Sequence, residues 1–314
     1  MRYRSLTPNL SVSELCYGTL TLGPLQKGLT PTAGGRLLTY ALEQGINFFD
    51  TAELYENYPH IRAALEGWQG DIVIATKCYA YDAATAAVSL ERARQELNRD
   101  YIDIFLLHEQ ESEHTLQGHA RALEYFAEAK ARGLVRAIGI STHHVAGVLA
   151  GAKHPLIEVI HPLINMKGIG IPDGTAGEMA AAIAFAATQG KGIYGMKALA
   201  GGSLYANAGE ALNYVRALPG ISSVAVGMGS LADIDCNVSF FNTGQFPPDY
   251  ATRITPRRII VEPWCEGCGT CQLHCPAKCI SIELGKARID SNKCLLCCYC
   301  VAHCKNFYMK VIEC

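Results

Sequence analysis

Short β-branched or aromatic runs alternate along the first 240 residues with longer stretches in which apolar positions recur every three or four residues. The runs at 15–19, 47–50, 72–77, 102–108, 137–141, 157–161, 192–197 and 222–227 read as strands, because each is too short and too uniformly apolar for an amphipathic helix. Between them, stretches rich in Ala, Leu, Glu and Arg, such as 31–44, 84–98, 119–132 and 177–189, carry helical periodicity. Residues 2–15 alternate polar and apolar around a turn and read as a hairpin. Eight strands, each followed by a helix, predict a parallel sheet covered by helices, and about 240 residues is the size of a (β/α)8 TIM barrel. A doubly wound sheet would want a glycine-rich dinucleotide turn after an early strand, and none is present.

The strand ends change the picture from fold to chemistry. In such a barrel the active site lies at the C-terminal face, where each strand stops. The runs here end in Asp50, Lys77, His108, Ser141 and His161, with Lys197 and Gly227 closing two later ones. One polar strand end is ordinary solvent exposure, but five or six converge on a single mouth. The formal net charge of −2 gives no bulk attraction to nucleic acid or an anionic membrane surface. No apolar run is long enough to span a bilayer, and the N-terminus lacks the apolar core of a signal peptide, so the expectation is a cytoplasmic protein.

Cysteine usage divides the chain. Of fourteen cysteines only Cys16, Cys78 and Cys236 precede Trp264, and the rest crowd into the C-terminal segment. A reducing compartment disfavours a disulfide framework, which leaves metal as the explanation of so dense a cluster. The expected organisation is a barrel over 1–242, a proline-bearing connector over 243–257 and a small α+β domain over 258–314. Cys265, Cys268, Cys271 and Cys275 form one C-x2-C-x2-C-x3-C run, and Cys294, Cys297, Cys300 and Cys304 repeat it 29 residues later. This is the bacterial ferredoxin spacing for two [4Fe–4S] clusters, in which the fourth cysteine of each run ligates the other cluster. The predicted sets are Cys265, Cys268, Cys271 and Cys304, and Cys294, Cys297, Cys300 and Cys275. Zinc held by paired C-x2-C units would leave several thiolates idle. Cys279, Cys298 and Cys314 fall outside the eight.

Asp50-Thr-Ala-Glu-Leu-Tyr55, then Ala75-Thr-Lys77, then Asp103-Ile-Phe-Leu-Leu-His108 resemble the aldo/keto reductase superfamily over roughly residues 1–240. The resemblance implies that Tyr55 is the proton donor or acceptor at a carbonyl oxygen, that Lys77, held charged by Asp50, lowers its pKa, and that His108 orients the substrate. It also implies a nicotinamide site: Ser141 matches directly, while His161, Asn165 and Met196 stand at or near positions where the family has other residues. Gly227, Gly229, Ser230 and Asn237 resemble its phosphate and adenine loop. Asp233 stands where an Arg usually clamps a 2′-phosphate, so NAD is expected in preference to NADP.

The C-terminal run likewise resembles a bacterial-type ferredoxin over 258–314. Clusters pass single electrons and nicotinamide passes two, so coupling them ordinarily needs a flavin; no flavin motif is visible, and a bound flavin is left open. Three functions follow. One is a carbonyl/alcohol oxidoreductase using NAD(P)H, its clusters structural or serving to dock a redox partner protein. Another is a ferredoxin-coupled reductase working through the clusters without nicotinamide, and the third is a non-catalytic redox sensor. The connector is long enough to bring the cysteine domain back over the barrel mouth, which the short loops leave open.

Overall fold

A computed structural model of the chain describes residues 1–250, 257–275, 277–294, 296 and 298–313. Its centre is a closed barrel of eight parallel strands: β3 (Leu15–Gly18), β4 (Phe48–Asp50), β5 (Val73–Cys78), β6 (Ile102–Leu107), β7 (Val135–Thr142), β8 (Val159–Pro162), β9 (Gly192–Gly195) and β10 (Ile221–Val226), with β10 pairing back to β3. Each β–α step returns the chain to the same end, as a right-handed crossover requires. The outer layer includes α1 (Pro31–Glu43), α2 (Tyr58–Leu65), α3 (Ala83–Leu97), α4 (Glu113–Gly118), α5 (Ala120–Ala131), α6 (Val145–Lys153), α7 (Ala176–Thr188), α8 (Ala208–Ala217) and α9 (Leu231–Thr243).

Strand parity separates two cores. Phe48, Val73, Ala75, Ile104, Leu106, Ala137, Val159 and Tyr194 point inward and fill the barrel, while Phe49, Ile74, Phe105, Ile138 and Ile160 point outward under the helices. The hairpin of β1 (Tyr3–Thr7) and β2 (Leu10–Ser13) plugs the N-terminal end with Leu6, Leu10 and Val12. The inward parity also carries Asp50, Lys77, His108, Ser141 and His161 to the opposite end, so one alternation supplies both the apolar filling and the polar mouth.

The cysteine-rich segment forms two two-stranded antiparallel sheets, β11 (Arg257–Val261) with β14 (Met309–Glu313) and β12 (Ile280–Glu283) with β13 (Lys286–Ile289), and two short helices, α10 (Thr270–Leu273) and α11 (Tyr299–Ala302). The two helices touch, and His274 and His303 just after them stack at 3.7 Å, as a doubled sequence motif would place them.

This segment packs on the barrel mouth. Phe307 is 5% exposed and fits where Gly170 and Gly201 have no side chains: a Cβ on Gly170 would lie 2.2 Å from the ring, and one on Gly201 2.7 Å. Gly202 does the same for Val311 of β14, with a hypothetical Cβ 2.6 Å from its carbonyl oxygen. The connector residues 251–256 lie outside the described residues.

Candidate functional site

Asp50 ends β4, and its carboxylate accepts from Lys77 Nζ at 2.8 and 2.9 Å. The ammonium's third hydrogen goes to the Thr51 carbonyl at 2.5 Å. Tyr194 donates its hydroxyl to Asp50 Oδ2 at 2.9 Å, and His161 Nε2 lies 3.6 Å from Oδ1. Burial alone would raise the Asp50 pKa; the Lys77 ammonium and His161 outweigh it and hold the carboxyl far below the usual range. The pair is therefore charged, buried and fully hydrogen-bonded.

Tyr55 follows β4 in a turn, with Lys77 Nζ 5.0 Å from its ring centre and the His108 ring 6.1 Å away. The expectation that Lys77 lowers the Tyr55 pKa is not met. Burial pushes the phenol well above its ordinary value, and the charges of Asp50 and Glu109 add to that. The physical reason is the ion pair: Lys77 spends its hydrogens on Asp50 and Thr51, and Asp50 offsets its charge at the ring. His108 moves the other way, held well below its ordinary value by burial first and then by Lys77. At neutral pH Tyr55 is therefore a protonated phenol and His108 a neutral imidazole, stacked on Tyr79 at 4.5 Å with Nδ1 buried and unpartnered.

A cavity of about 220 Å3 runs from Asp50 and Tyr55 past His161 and Met196 to Gly227, Asp233 and Asn237 beside the start of α9. Arg257, Phe307 and Lys310 of the cysteine-rich segment form its other wall. Of the predicted nicotinamide residues, His161, Met196, Gly227, Asp233 and Asn237 reach this cavity. Ser141 is fully buried, its Oγ accepting from Glu109 N at 3.0 Å. The Asn165 amide is spent on its own loop, accepting from Lys167 N and Ile169 N and donating to Ile169 O. Gly229 and Ser230 form the cap of α9: Asp233 Oδ2 accepts from Gly229 N at 3.1 Å and from Ser230 Oγ at 2.7 Å. The Asp233 carboxylate thus occupies the anion position of its own helix N-terminus. Asn237 in turn donates to Asp233 O at 2.8 Å.

Lys197 was read as a strand end, but β9 stops at Gly195 and Lys197 sits beyond it with φ 58°. Its Nζ lies 2.9 Å from His143 Nε2 and 4.4 Å from the Phe307 ring centre. Tyr194, the second hydrogen-bond donor to Asp50, was missed; its inward parity beside Phe48 was the available signal.

In the cysteine-rich segment, burial and then the charges of Cys304, Cys265 and Cys268 raise the Cys271 pKa. Backbone N–H groups point at sulfur, from Gly267 to Cys265 at 3.5 Å and from Tyr308 to Cys304 at 3.2 Å. In the second set Cys275 Sγ lies 3.4 Å from Cys279 Sγ, Cys300 is buried, and Cys294 is close enough to act on Cys279. Cys297 and Cys314 lie outside the described residues. Among the described residues no group of three or more His, Cys, Asp or Glu side chains is gathered as a ready metal site.

Fold and site define a (β/α)8-barrel protein whose titratable groups meet at the C-terminal mouth. The chain belongs to the aldo/keto reductase family, whose model matches residues 14–213. It is 31% identical over 159 residues to an oxidoreductase of Bacillus subtilis, covering 45% of this chain and 49% of the relative. A methylglyoxal reductase of Yersinia pestis is 30% identical over 110 residues, covering 33% and 38%. The chain thus spans half or less of the length of these two relatives. L-Galactose dehydrogenase of Arabidopsis thaliana aligns over 73% of this chain and 84% of its own length at 24% identity. Among solved structures, a putative aldo-keto reductase of Pseudomonas aeruginosa superposes with TM-score 0.66 at 24% identity, covering 77% of this chain and 94% of the other. The holo form of an aldo-keto reductase of Bacillus halodurans does so with TM-score 0.66 at 23% identity, covering 81% and 95%. Among the described residues no helix is long and apolar enough to cross a membrane.

Proposed function

We propose that the protein is an oxidoreductase interconverting a small carbonyl compound and its alcohol, with Tyr55 as the proton donor. The observation that carries this reading is the pairing of a protonated Tyr55 with a neutral His108 beside a buried, self-satisfied Asp50–Lys77 pair. His108 cannot act as the acid, since burial and Lys77 keep it neutral; it can donate a hydrogen bond that fixes the substrate oxygen. Tyr55 keeps its proton until an oxygen beside it develops negative charge, which suits reduction.

The cavity fits an anionic dinucleotide: Lys27, Arg257 and Lys310 line it, and Arg257 Nε is buried with no hydrogen-bond partner among the described residues. A bound nicotinamide would supply the hydride. His161 and Met196 would flank its ring end, while Gly227, Asp233 and Asn237 line the other end of the cavity. With Asp233 turned into its own cap, the preference for NAD over NADP loses its original support and rests on the missing Arg alone. The two four-cysteine sets, Cys265, Cys268, Cys271 and Cys304, and Cys294, Cys297, Cys300 and Cys275, would hold two [4Fe–4S] clusters, with backbone N–H groups already aimed at Cys265 and Cys304. A domain of ferredoxin type over 258–314 follows from that assignment.

A second reading, reduction through the clusters without nicotinamide, is favoured by one contact: Phe307 lies three residues beyond Cys304 and lines the cavity with Tyr55. The discriminating measurement is aldehyde turnover by anaerobic protein given NADH, NADPH or dithionite alone. Tyr55→Phe tests the proton donor in either case. It is expected to lower kcat by about 100-fold or more with nicotinamide affinity unchanged. Undiminished turnover would place the acid elsewhere.

A further inference from the structure

The mouth holds a second amine, Lys197, which the proposed chemistry leaves unused. Among the described residues it forms no ion pair. Glu262 is engaged by Lys310, Glu109 accepts from the Tyr79 hydroxyl at 2.7 Å, and Asp50 is closed off by Lys77. Lys197 Nζ has instead a neutral imidazole, His143, and the face of Phe307. Burial and then the Lys310 charge lower its pKa to about 7, while His143 is held well below its ordinary value by burial and by Lys197. Glu109 and Glu262 favour the charged amine from a distance, but among the described residues no carboxylate contacts it, and an anion entering the cavity would supply that contact.

We propose that Lys197 binds the carboxylate of the substrate, so that the preferred substrates are oxo acids and acid semialdehydes. This rests on the carbonyl–alcohol reading above. Two anions could meet this amine, a substrate carboxylate or a dinucleotide phosphate, and the strand order favours the first. The Gly227–Asn237 end of the cavity belongs to β10 and α9, on one side of β9. Lys197 reaches to the other side, across β8 to His143 after β7, whose neighbour β6 leads to His108. Glu109, next to His108, comes within 3.9 Å of His143 Nε2, and the Lys197 charge is felt at His108 itself. Lys197 and Tyr55 both line the cavity, so the amine and the proposed proton donor face one bound molecule. Phe307 lines the same cavity with its ring centre 4.4 Å from Lys197 Nζ, so the cysteine-rich segment contributes a wall of the subsite.

The test uses the full, iron-replete chain. Oxamate, an unreactive oxo-acid mimic, is titrated calorimetrically into wild type, Lys197→Met and Lys197→Arg. Succinic semialdehyde and butanal are then compared as substrates, and NADH and NADPH affinities are measured. Loss of one charge-assisted contact is expected to weaken oxamate binding about 10- to 100-fold in Lys197→Met, with Lys197→Arg retaining most of it. The kcat/KM for succinic semialdehyde is expected to fall mainly through KM, and that for butanal to stay within about twofold. Wild-type affinity for oxamate is expected to weaken as pH rises through about 7, where Lys197, facing His143, Glu109, Lys310, Glu262 and Lys77, loses its proton.

Absence of oxamate binding to wild type overturns the proposal, and so does an equal loss for both aldehydes. A loss confined to nicotinamide affinity also overturns it and identifies the dinucleotide phosphate as the anion. Lys197-dependent oxamate binding with no aldehyde reduced supports the subsite and removes the reductase reading instead.

Discussion

The Asp50–Lys77 pair shows how one residue can decide both stability and chemistry. Asp50 is buried and its folded pKa lies far below its unfolded value near 3.8, so the folded state binds fewer protons than the unfolded chain as the carboxylate titrates. The stability it contributes is complete above about pH 4 and is lost as pH falls below that. Lys77→Met leaves a buried carboxylate without its cation, and urea unfolding at pH 7 is expected to show a loss of about 3–5 kcal/mol. The same comparison at pH 3 is expected to give a smaller difference, because the unfolded carboxyl is protonated there and the variant's Asp50, without its cation, takes up a proton too; a difference independent of pH would assign the effect to packing. Tyr194 belongs to this pair as much as the residues read from the sequence do. Asp50, Lys77, His108 and His161 were legible because each ends an apolar run. Tyr194 lies inside one, where an aromatic reads as core, and only its hydroxyl's 2.9 Å bond to Asp50 tells otherwise. Lys197 was legible as polar, but its left-handed backbone, which directs it to His143, leaves no mark in a hydrophobicity pattern.

At the scale of elements, alternation of apolar runs and helical stretches was enough to locate all eight barrel strands, because a parallel barrel buries both faces of each strand and so enriches it in apolar residues. Strand ends were harder. The seventh barrel strand, read as 192–197, stops at Gly195. Two glycines carry constraints that a pattern of apolar positions does not reveal. A Cβ on Gly192 would lie 2.0 Å from the Leu6 carbonyl oxygen, so the plugging hairpin needs that gap. A Cβ on Gly139 would lie 1.9 Å from the Val159 carbonyl oxygen, where the neighbour is backbone and cannot rotate away. Gly139→Ala is therefore expected to spread β7 from β8 and to cost about 3 kcal/mol or more, read as a lowered urea midpoint. Since Ser141 and His161 pair across those two strands near their C-terminal ends, loss of Asp50–His161 proximity should accompany it.

For the whole molecule, the cysteine-rich segment is a wall of the barrel's cavity, which the connector's length permitted and the glycines at 170, 201 and 202 make room for. If two [4Fe–4S] clusters organise that segment, anaerobically purified protein carries about eight irons and eight sulfides per chain. A small domain of this kind owes much of its folding free energy to its metal, whereas the barrel has its own continuous core. Removing the iron with a chelator under mild oxidation is then expected to unfold residues 258–314 and leave the barrel's thermal transition in place. The contacts of Phe307 with Gly170 and Gly201, and of Val311 with Gly202, would be released together. Tyr55, His108 and Lys77 would remain where the strands hold them, so the chemical step survives, but the cavity would lose Phe307, Lys310 and Arg257 at once. The expected signature is a KM for an aldehyde raised about 10-fold with kcat within a few-fold, because positioning is lost and the proton donor is not. Phe307→Ala in iron-replete protein separates the two contributions. It removes the ring that lies over Lys197 while keeping every cysteine, and is expected to reproduce most of the KM effect at full iron content. An unchanged KM in both preparations would mean that the segment covers the mouth without shaping the site.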